Sequence, residues 1–307
     1  MAEAHVKTDT DTELGMGAGM GAEARRFAWQ HEASDAMSQA FAEDGYLIVD
    51  DFVTPATCDS LMARANSLID AFDVDAHQVV FSATAQSHAA DDYFRESAYN
   101  ISCFLEEGAL DADGKLNRDK HVAVNKIGHA IHDIDPVFSA FSHADDLAII
   151  THCVGMKAPL QLQSMVICKQ PAIGGEVSSH QDSTFIYTEP ESCIGFWFAL
   201  EDATLENGCM YAAPGGHLAP LRSRFQNVDG AMQMNQLDDA DLPKATVPLI
   251  APKGTLVVLH GRLPHTSPPN LSAKSRYAYT IHMIEAAADY AADNWLQRPD
   301  HMPLKGF

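Results

Sequence analysis

The second half of the chain, from residue 158 onward, is a succession of short apolar segments separated by turn signals. LQLQSMVICK (160–169) alternates apolar and polar residues, as a half-buried strand does, and IGFWFAL (194–200) is an apolar run of strand length. Three more such segments follow, namely TVPLI, GTLVVLH and RYAYTIHMI, whereas helical patterns are mostly confined to the first half. This segregation predicts a mostly-β chain with flanking helices (α+β), built as a β-sandwich or jelly roll rather than a parallel βαβ sheet.

Turn and cap residues mark the boundaries of individual elements. Asn207-Gly208 predicts a tight hairpin that leads into the strand CMYAA. In the first half, a capping residue followed by proline predicts the start of two helices, at Thr54-Pro55 and at Asp135-Pro136. Met37, Phe41 and the alanines between them predict a short amphipathic helix that begins near Ser34 and ends at Gly45.

The chain divides into a tail and one domain. Residues 1–30 are polar and dotted with glycine (GMGAGMGA), without sustained periodicity, so we expect a mobile tail followed by a single domain over 31–307. Within that domain, residues 74–120 are polar and mixed, and we expect them to form a long excursion over an active site, with a turn at DADGK (111–115).

The charge balance narrows the range of partners. The chain has 42 acidic and 20 basic residues, for a formal net charge of −22. Such a field repels polyanions, and the nearest approach to a basic patch is Arg222 and Arg224 in LRSRF, a pair typical of solvated surface. We therefore expect no nucleic-acid partner.

Composition and cysteine spacing indicate the compartment. Hydrophobic residues make up 46% of the chain, yet none of its apolar stretches approaches the roughly 18 residues of a membrane span. The N-terminal segment lacks the pattern of a secretory or import leader, and the six cysteines show no CxxC spacing. We expect a cytoplasmic protein with reduced thiols, a monomer or weak homo-oligomer, that acts on a small molecule without a membrane partner.

One short motif carries possible metal chemistry. SSHQDSTF places His180 and Asp182 two positions apart, just after a strand-like run and a glycine-containing turn. If the backbone is extended at Gln181, both side chains lie on the same face. Two histidines and one carboxylate on one face of an octahedron bind iron(II) in oxygen-activating enzymes and leave three positions open. An HxD pair occurs often by chance, so the interpretation depends on a further histidine.

LVVLHGRLPHTSPPN supplies two candidates for that histidine. His260 ends an apolar strand, and His265 follows a short turn and begins the next extended segment. Arg276 lies eleven residues beyond His265, which favours His265 over His260.

Arg276 opens the predicted strand RYAYTIHMI and shares its smaller, more polar face with Thr280 and His282. A guanidinium on an inward face needs an anionic partner, because an uncompensated buried charge is very costly. A dicarboxylate cosubstrate would provide that partner through a two-pronged bond.

Several motifs together resemble the phytanoyl-CoA dioxygenase family. The likeness is strongest to the subgroup of phytanoyl-CoA dioxygenase domain-containing proteins, rather than to the peroxisomal enzyme itself. The motifs are HQDSTFIYTEP, EDATLENGCMYAAPGGH, HGRLPHTS with the arginine eleven positions later, NKIGHAIHDIDPVF and LQSMVICKQPAIGGEVS. The likeness spans roughly residues 36–305. It implies a double-stranded β-helix core and an enzyme that uses iron(II), 2-oxoglutarate and O2.

The resemblance also implies roles for individual residues. The implied iron ligands are His180, Asp182 and His265. The implied 2-oxoglutarate contacts are Arg276 for the distal carboxylate, with Ser267 beside it, and Lys126, Met165 and Trp197 along the pocket. Related enzymes that halogenate carry a small residue in place of the carboxylate, so Asp182 favours hydroxylation or a related oxidation. By comparison with the same family, His217 in PGGH is expected to be structural.

The leading hypothesis is an iron(II)- and 2-oxoglutarate-dependent dioxygenase that hydroxylates a small or medium-sized metabolite and releases succinate and carbon dioxide. The alternatives are a non-catalytic jelly-roll binding protein, an acyl-CoA 2-hydroxylase, and a cupin-like enzyme that needs no cosubstrate. The cupin-like enzyme would have no use for Arg276. The acyl-CoA alternative would require a cluster of cations for the phosphates of coenzyme A.

Overall fold

The computed structural model describes residues 24–80 and 92–307. In this part of the chain the helices all lie in the first half: α1 Asp35–Asp44, α2 Pro55–Ala71, α3 Asp92–Glu96, α4 Lys120–Ala123, α5 Ile131–Ile134, α6 Pro136–Ser142 and α7 Asp145–Cys153. Among the described residues, 3-10 turns cover Ser97–Tyr99, Asp182–Thr184 and Gly216–Leu218.

Of the strands in residues 24–80 and 92–307, four precede residue 158 and the others follow it. They are β1 Arg26–Ala28, β2 Tyr46–Asp50, β3 Ile101–Leu105, β4 Val124–His129, β5 Pro159–Lys169, β6 Val177–His180, β7 Thr188–Glu189, β8 Ile194–Ala199, β9 Met210–Ala212, β10 Ser223–Val228, β11 Ala231–Gln236, β12 Val247–Leu249, β13 Leu256–His260, β14 His265–Ser267, β15 Arg276–Glu285 and β16 Asp289–Tyr290.

Two sheets form the core of the fold. The large sheet has the order β1-β2-β13-β8-β15-β5-β4-β3, and the small sheet has the order β12-β9-β14-β6. Two separate pairs, β10 with β11 and β7 with β16, complete the strands of the described residues. In the middle of the large sheet and throughout the small sheet, neighbouring strands are distant in sequence, as in a jelly roll. The predicted mostly-β fold with flanking helices is confirmed.

The two faces of the large sheet have different partners, which follows from the period of two in a strand. Along β15, Tyr277, Tyr279 and Ile281 join the apolar core that contains the helices. Ala278 lies on the opposite face and packs in a second core against residues of the small sheet. Arg276 and His282 occupy even-numbered positions of the same strand, so they share the face of Ala278.

The predicted helix starts are confirmed. The side chains of Ser34 and Thr54 accept hydrogen bonds from backbone amides in the first turns of α1 and α2. Asp135 accepts from the amides of Val137 and Phe138 at the start of α6. These side chains satisfy amides that have no partner within the helix.

The hairpin prediction at Asn207-Gly208 is wrong. Gly208 does adopt a positive φ of 81°, as the dipeptide suggests. However, β9 pairs with β12 and β14 of the small sheet, while the preceding strand β8 lies in the large sheet. The turn therefore carries the chain from one sheet to the other. The side chain of Asn207 stabilises it by accepting from the Thr204 amide and donating to the carbonyl of Asp202.

Two other expectations differ from the structure in part. Of the expected tail, residues 1–23 lie outside the described residues, whereas β1 pairs in parallel with β2 at the edge of the large sheet. Of the expected excursion over 74–120, residues 81–91 also lie outside. The remainder includes β3, which pairs with β4 and so extends the large sheet. The turn at 111–115 is present, closed by a hydrogen bond from the Asp111 amide to the Lys115 carbonyl.

Among the helices of the described residues, none combines the length and the apolar character needed to cross a bilayer. The six cysteines are all free thiols.

Candidate active site

The HxD motif and His265 meet where two strands of the small sheet pair. His180 is the last residue of β6, and His265 is the first residue of β14, directly opposite it in the antiparallel register. Gln181 has extended dihedral angles, φ −116° and ψ 131°, so Asp182 at the start of the next 3-10 turn returns to the same side. The pairing thus brings together three side chains that are distant in sequence.

The ligand atoms of these three residues lie within 4.8 Å of one another and could hold a metal ion. The Oδ1 atom of Asp182 lies 3.5 Å from Nε2 of His180 and 3.7 Å from Nε2 of His265. Two neutral imidazoles and a carboxylate suit iron(II). The donor set therefore fits the metal that the sequence predicts.

Backbone carbonyls orient both imidazoles. Nδ1 of His180 lies 2.8 Å from the carbonyl oxygen of Ser178, and Nδ1 of His265 lies 3.0 Å from that of Leu263. A carbonyl can only accept, so each Nδ1 carries a proton, and in the neutral form of each ring Nε2 presents its lone pair towards Asp182. This outer contact is what fixes the tautomer and ring orientation of metal-binding histidines. Burial lowers the pKa of His180, but the contact with Asp182 outweighs it and raises that pKa above its usual value.

The electrostatics of the cluster favour a charged carboxylate beside a neutral imidazole. Burial raises the pKa of Asp182, but His265 and His282 outweigh it and hold that pKa well below its usual value. Burial and the neighbouring His180 lower the pKa of His265 to about 4. His265 is therefore neutral at neutral pH, which is the form that binds a metal.

Arg276 is a buried cation on the face of β15 that also carries His282. Its exposed fraction is 2%, and its Nε and Nη1 atoms have no hydrogen-bond partner among the described residues. Burial lowers its pKa to about 10, so the guanidinium is still charged at neutral pH. An unsatisfied buried charge of this kind indicates a site for an anion, and a carboxylate offers the matching two-pronged geometry.

Strand register aligns the other predicted pocket residues with Arg276. Met165 of β5 lies opposite Thr280 of β15, which lies opposite Trp197 of β8. The Trp197 ring is 5.4 Å from the Arg276 guanidinium, and Lys126 Nζ lies 4.0 Å from the Met165 sulfur. These side chains line one face of the large sheet in front of the metal-binding cluster.

Met165 and Lys126 are only half-buried, although β4 and β5 are interior strands of the sheet. The protein groups that surround the amine of Lys126 remove most of its hydration and lower its pKa to about 7, an effect that Glu106 partly offsets. The inner face at this point therefore borders an open space, with a cation and a thioether at its edge.

Ser267 and Arg276 are joined through a residue that the sequence analysis did not assign to the site. Lys169 lies opposite Arg276 in the β5–β15 register. Its ammonium donates to the carbonyls of Gly175, Ser267 and Pro268 at 2.9, 3.3 and 2.5 Å. Lys169 thus anchors the end of β14 beside the guanidinium, and Ser267 Oγ donates to the Gly208 carbonyl at 3.2 Å.

The sequence assigned no site role to three further residues that lie near the site. Ile167 lies half-buried between Lys126 and Ala278 in the register, and a period of two from Met165 could have identified it. Glu106 is buried, with its Oε2 atom 3.3 Å from the Gly175 amide. His282, which shares the predicted polar face of Arg276, lies 3.4 Å from Asp182 through its Nε2 atom. The sequence around Glu106 contains no pattern that would reveal its burial.

Two histidines considered in the sequence lie elsewhere. His260 accepts a hydrogen bond at Nδ1 from the Arg262 amide, and its ring centroid lies 5.0 Å from that of His217. His217 Nε2 contacts the carbonyl of Ala42 at 3.2 Å. Neither residue belongs to the cluster around Asp182.

Comparison with sequence families and known relatives gives a consistent result. The phytanoyl-CoA dioxygenase family model matches residues 41–278. "Phytanoyl-CoA dioxygenase" of Arabidopsis thaliana is 42% identical over 259 residues, which cover 84% of this chain and 91% of the relative. "Phytanoyl-CoA dioxygenase domain-containing protein 1" of Bos taurus is 36% identical over 283 residues, which cover 88% of this chain and 97% of the relative.

Solved structures share the fold at low sequence identity. A crystal structure of the epimerase SnoN in complex with Fe3+, alpha-ketoglutarate and nogalamycin RO superposes with a TM-score of 0.58 at 14% identity, covering 89% of this chain and 92% of that one. EvdO2 from Micromonospora carbonacea var. aurantiaca, complexed with 2-oxoglutarate, gives a TM-score of 0.53 at 18% identity, covering 86% of this chain and 97% of that one. The chain belongs to the phytanoyl-CoA dioxygenase family and is an iron(II)- and 2-oxoglutarate-dependent dioxygenase.

Proposed function

We propose that this dioxygenase binds iron(II) through Nε2 of His180, a carboxylate oxygen of Asp182 and Nε2 of His265, and that it hydroxylates a small or medium-sized free metabolite. In the overall reaction one atom of O2 enters the product and the other enters succinate, as 2-oxoglutarate loses carbon dioxide. The observation that carries the proposal is the joint placement of the His-Asp-His cluster and an unsatisfied buried guanidinium.

Each pocket residue has a defined task in this proposal. Arg276 binds the distal carboxylate of 2-oxoglutarate, and Ser267 adjoins it. Trp197 packs beside the guanidinium and excludes water, which strengthens the charged contact. Lys126 and Met165 border the cosubstrate on the side of β4 and β5. When bound, the iron supplies open coordination positions at which O2 is activated.

We prefer a free metabolite because several of the lysines and arginines that could bind the phosphates of coenzyme A are already paired within the chain. Coenzyme A carries several phosphate charges, which proteins usually meet with clustered lysines and arginines or a helix N-terminus. Arg222 forms an ion pair with Asp238 at 2.7 Å, and Arg224 forms one with Asp293 at 2.6 Å. Arg224 also stacks over Tyr187 at 4.1 Å. Both arginines are thus already engaged within the chain.

Two of the cations of residues 115–126 are engaged in a similar way. Lys120 donates to the carbonyls of Asp70 and Phe72, and Arg118 donates to the Asn117 side chain and the Gly108 carbonyl. Together with a net charge of −22, these contacts disfavour a highly charged thioester. Hydroxylation of an acyl-CoA is the second candidate, because curated relatives carry the name phytanoyl-CoA dioxygenase.

The test is anaerobic reconstitution with iron(II) and 2-oxoglutarate, followed by exposure to O2 and measurement of succinate. The panel contains free acids, amines and nucleoside-like compounds beside phytanoyl-CoA and shorter acyl-CoAs, with Asp182→Ala as the matched inactive protein. We expect succinate formation coupled to oxidation of a free metabolite. Efficient, tightly coupled turnover of an acyl-CoA would overturn the substrate proposal and leave the enzyme class intact.

We also propose that the enzyme works as a monomer or weak homo-oligomer in the reducing cytoplasm, without a nucleic-acid partner. Support comes from the six free cysteines and from the acidic net charge. Light scattering after size-exclusion chromatography at micromolar concentration should give a mass near the 33.3 kDa of one chain. A stable dimer at that concentration would refute the monomer proposal.

A further inference from the structure

The two carboxylate oxygens of Asp182 have different surroundings. Oδ1 faces the Nε2 atoms of His180 and His265 at 3.5 and 3.7 Å. Oδ2 is buried, makes no hydrogen bond within the described part of the chain, and lies 3.4 Å from Nε2 of His282. A buried carboxylate oxygen without a donor is costly, so a proton on this nitrogen would stabilise it.

The sheet brings His282 to this oxygen. His282 lies on the inner face of β15, opposite Gly195 of β8 in the antiparallel register. A methyl group built on Gly195 would stand 3.1 Å from Asp182 Oδ2 and 3.3 Å from the His282 ring. The absence of a side chain at Gly195 therefore leaves the space in which the imidazole and the carboxylate meet.

The imidazole is also arranged to donate at the required atom. Nδ1 of His282 is buried and has no hydrogen-bond partner among the described residues, whereas Nε2 points to Oδ2. A proton on Nε2 gives Oδ2 a donor. The distance of 3.4 Å is longer than an ideal hydrogen bond, but contacts of this kind in active sites often tighten when the site is loaded.

We propose that His282 is a positioning residue that holds Oδ2 of Asp182 through its Nε2 proton, so that Asp182 offers Oδ1 alone to the metal. The inference rests on the proposed function of the His-Asp-His cluster and deepens it. A carboxylate that binds through one oxygen leaves the remaining coordination positions to 2-oxoglutarate and O2. Contacts behind metal ligands typically change metal affinity by about 10- to 100-fold when they are removed.

A metal titration without turnover tests this assignment. Mn(II) binding is measured by the electron paramagnetic resonance signal of the free ion, and Co(II) absorption reports the coordination geometry. His282→Gln keeps an N–H near the position of Nε2, and His282→Leu removes it. The matched control is Ile281→Val, a buried neighbour on the opposite face of the same strand.

We expect His282→Leu to weaken Mn(II) binding by about tenfold or more and to alter the Co(II) spectrum. His282→Gln should stay within a few-fold of the parent protein, as should Ile281→Val. Parent-like affinity and spectrum in His282→Leu would overturn the assignment, and so would a loss in His282→Gln equal to that in His282→Leu.

Gly195→Ala provides an independent variant should His282→Leu fail to fold. The added methyl group would intrude between His282 and Asp182, so Mn(II) binding should weaken while the circular dichroism spectrum is retained. Unchanged binding in Gly195→Ala would overturn the assignment. A parent protein that binds no Mn(II) at all would instead overturn the proposed metal site, and with it this inference.

Discussion

Arg276 carries a buried positive charge with two nitrogens that no described residue satisfies. Arg276→Ala should raise the Kd for 2-oxoglutarate by roughly 30-fold or more, because losing one partner of a buried charged pair costs about 2–5 kcal/mol. Arg276→Lys should restore only part of the affinity, since an ammonium cannot present the planar fork. Calorimetric titration of the Mn(II)-loaded protein measures the effect, with Arg222→Lys, at an arginine paired with Asp238, as the control. An unchanged Kd in Arg276→Ala would contradict the proposed anchor.

His265 and His260 are five positions apart, yet only His265 adjoins Asp182. His265→Ala removes an imidazole ligand and should abolish both tight Mn(II) binding and succinate formation. His260→Ala should preserve most of both, because that ring contacts Phe41 and His217 instead. Melting curves for the two proteins control for unfolding. The opposite pattern of losses would show that the distal ligand is wrongly assigned.

Residue types with distinctive chemistry could be predicted from the sequence, and residues defined by burial could not. His180, Asp182 and Arg276 stand out because their types and spacing match a known donor set. Glu106 and Glu107 are adjacent and identical in type, but the structure buries the first and exposes the second. That difference depends on how β3 pairs with β4, which local sequence does not encode.

At the level of elements, alternation predicted the faces of β15 correctly, while pairing partners remained inaccessible. The period of two follows from the geometry of any strand, so it can be read without knowledge of the neighbours. The Asn207-Gly208 turn shows that local sequence does not determine which strands pair. The dipeptide sets the local backbone, but the sheet that the next strand joins depends on long-range packing.

The cap of α6 gives a prediction about an element that touches no ligand. Asp135 is buried, accepts from two amides of the first turn, and pairs with Arg64 Nε at 2.6 Å. Asp135→Ala should lower the free energy of unfolding by about 1–3 kcal/mol, because both the cap and the ion pair are lost. Asp135→Asn keeps a capping oxygen and should cost less. Urea unfolding measures both.

Ligand binding at the active site serves as the control for the two Asp135 variants. Mn(II) and 2-oxoglutarate affinities should be unchanged in both variants, since α6 packs on the helix side of the large sheet rather than on its inner face. Equal destabilisation by alanine and asparagine would show that the ion pair, and not the cap, carries the effect.

For the molecule as a whole, the site arises from a topology that the sequence could not specify. The predicted class of fold was correct because helical and strand patterns segregate along the chain. The strand order was not predictable, because β8 lies between β13 and β15 and the cluster joins β6 to β14. Which strands become neighbours depends on the packing of the whole core, so it cannot be predicted from any one segment of the sequence.

The net charge of −22 should be visible in the kinetics of cosubstrate binding. The field opposes the approach of the 2-oxoglutarate dianion, and raising the ionic strength from about 0.01 to 0.15 M shortens the Debye length from about 30 to 8 Å. The association rate constant should therefore increase with salt, whereas that of Mn(II) should decrease. Stopped-flow tryptophan fluorescence suits the first measurement, because Trp197 lies beside Arg276. If salt instead slows 2-oxoglutarate binding, then the local field of Arg276, Lys126 and Lys169 dominates over the net charge. In that case the electrostatic argument against a polyanionic substrate such as an acyl-CoA also fails.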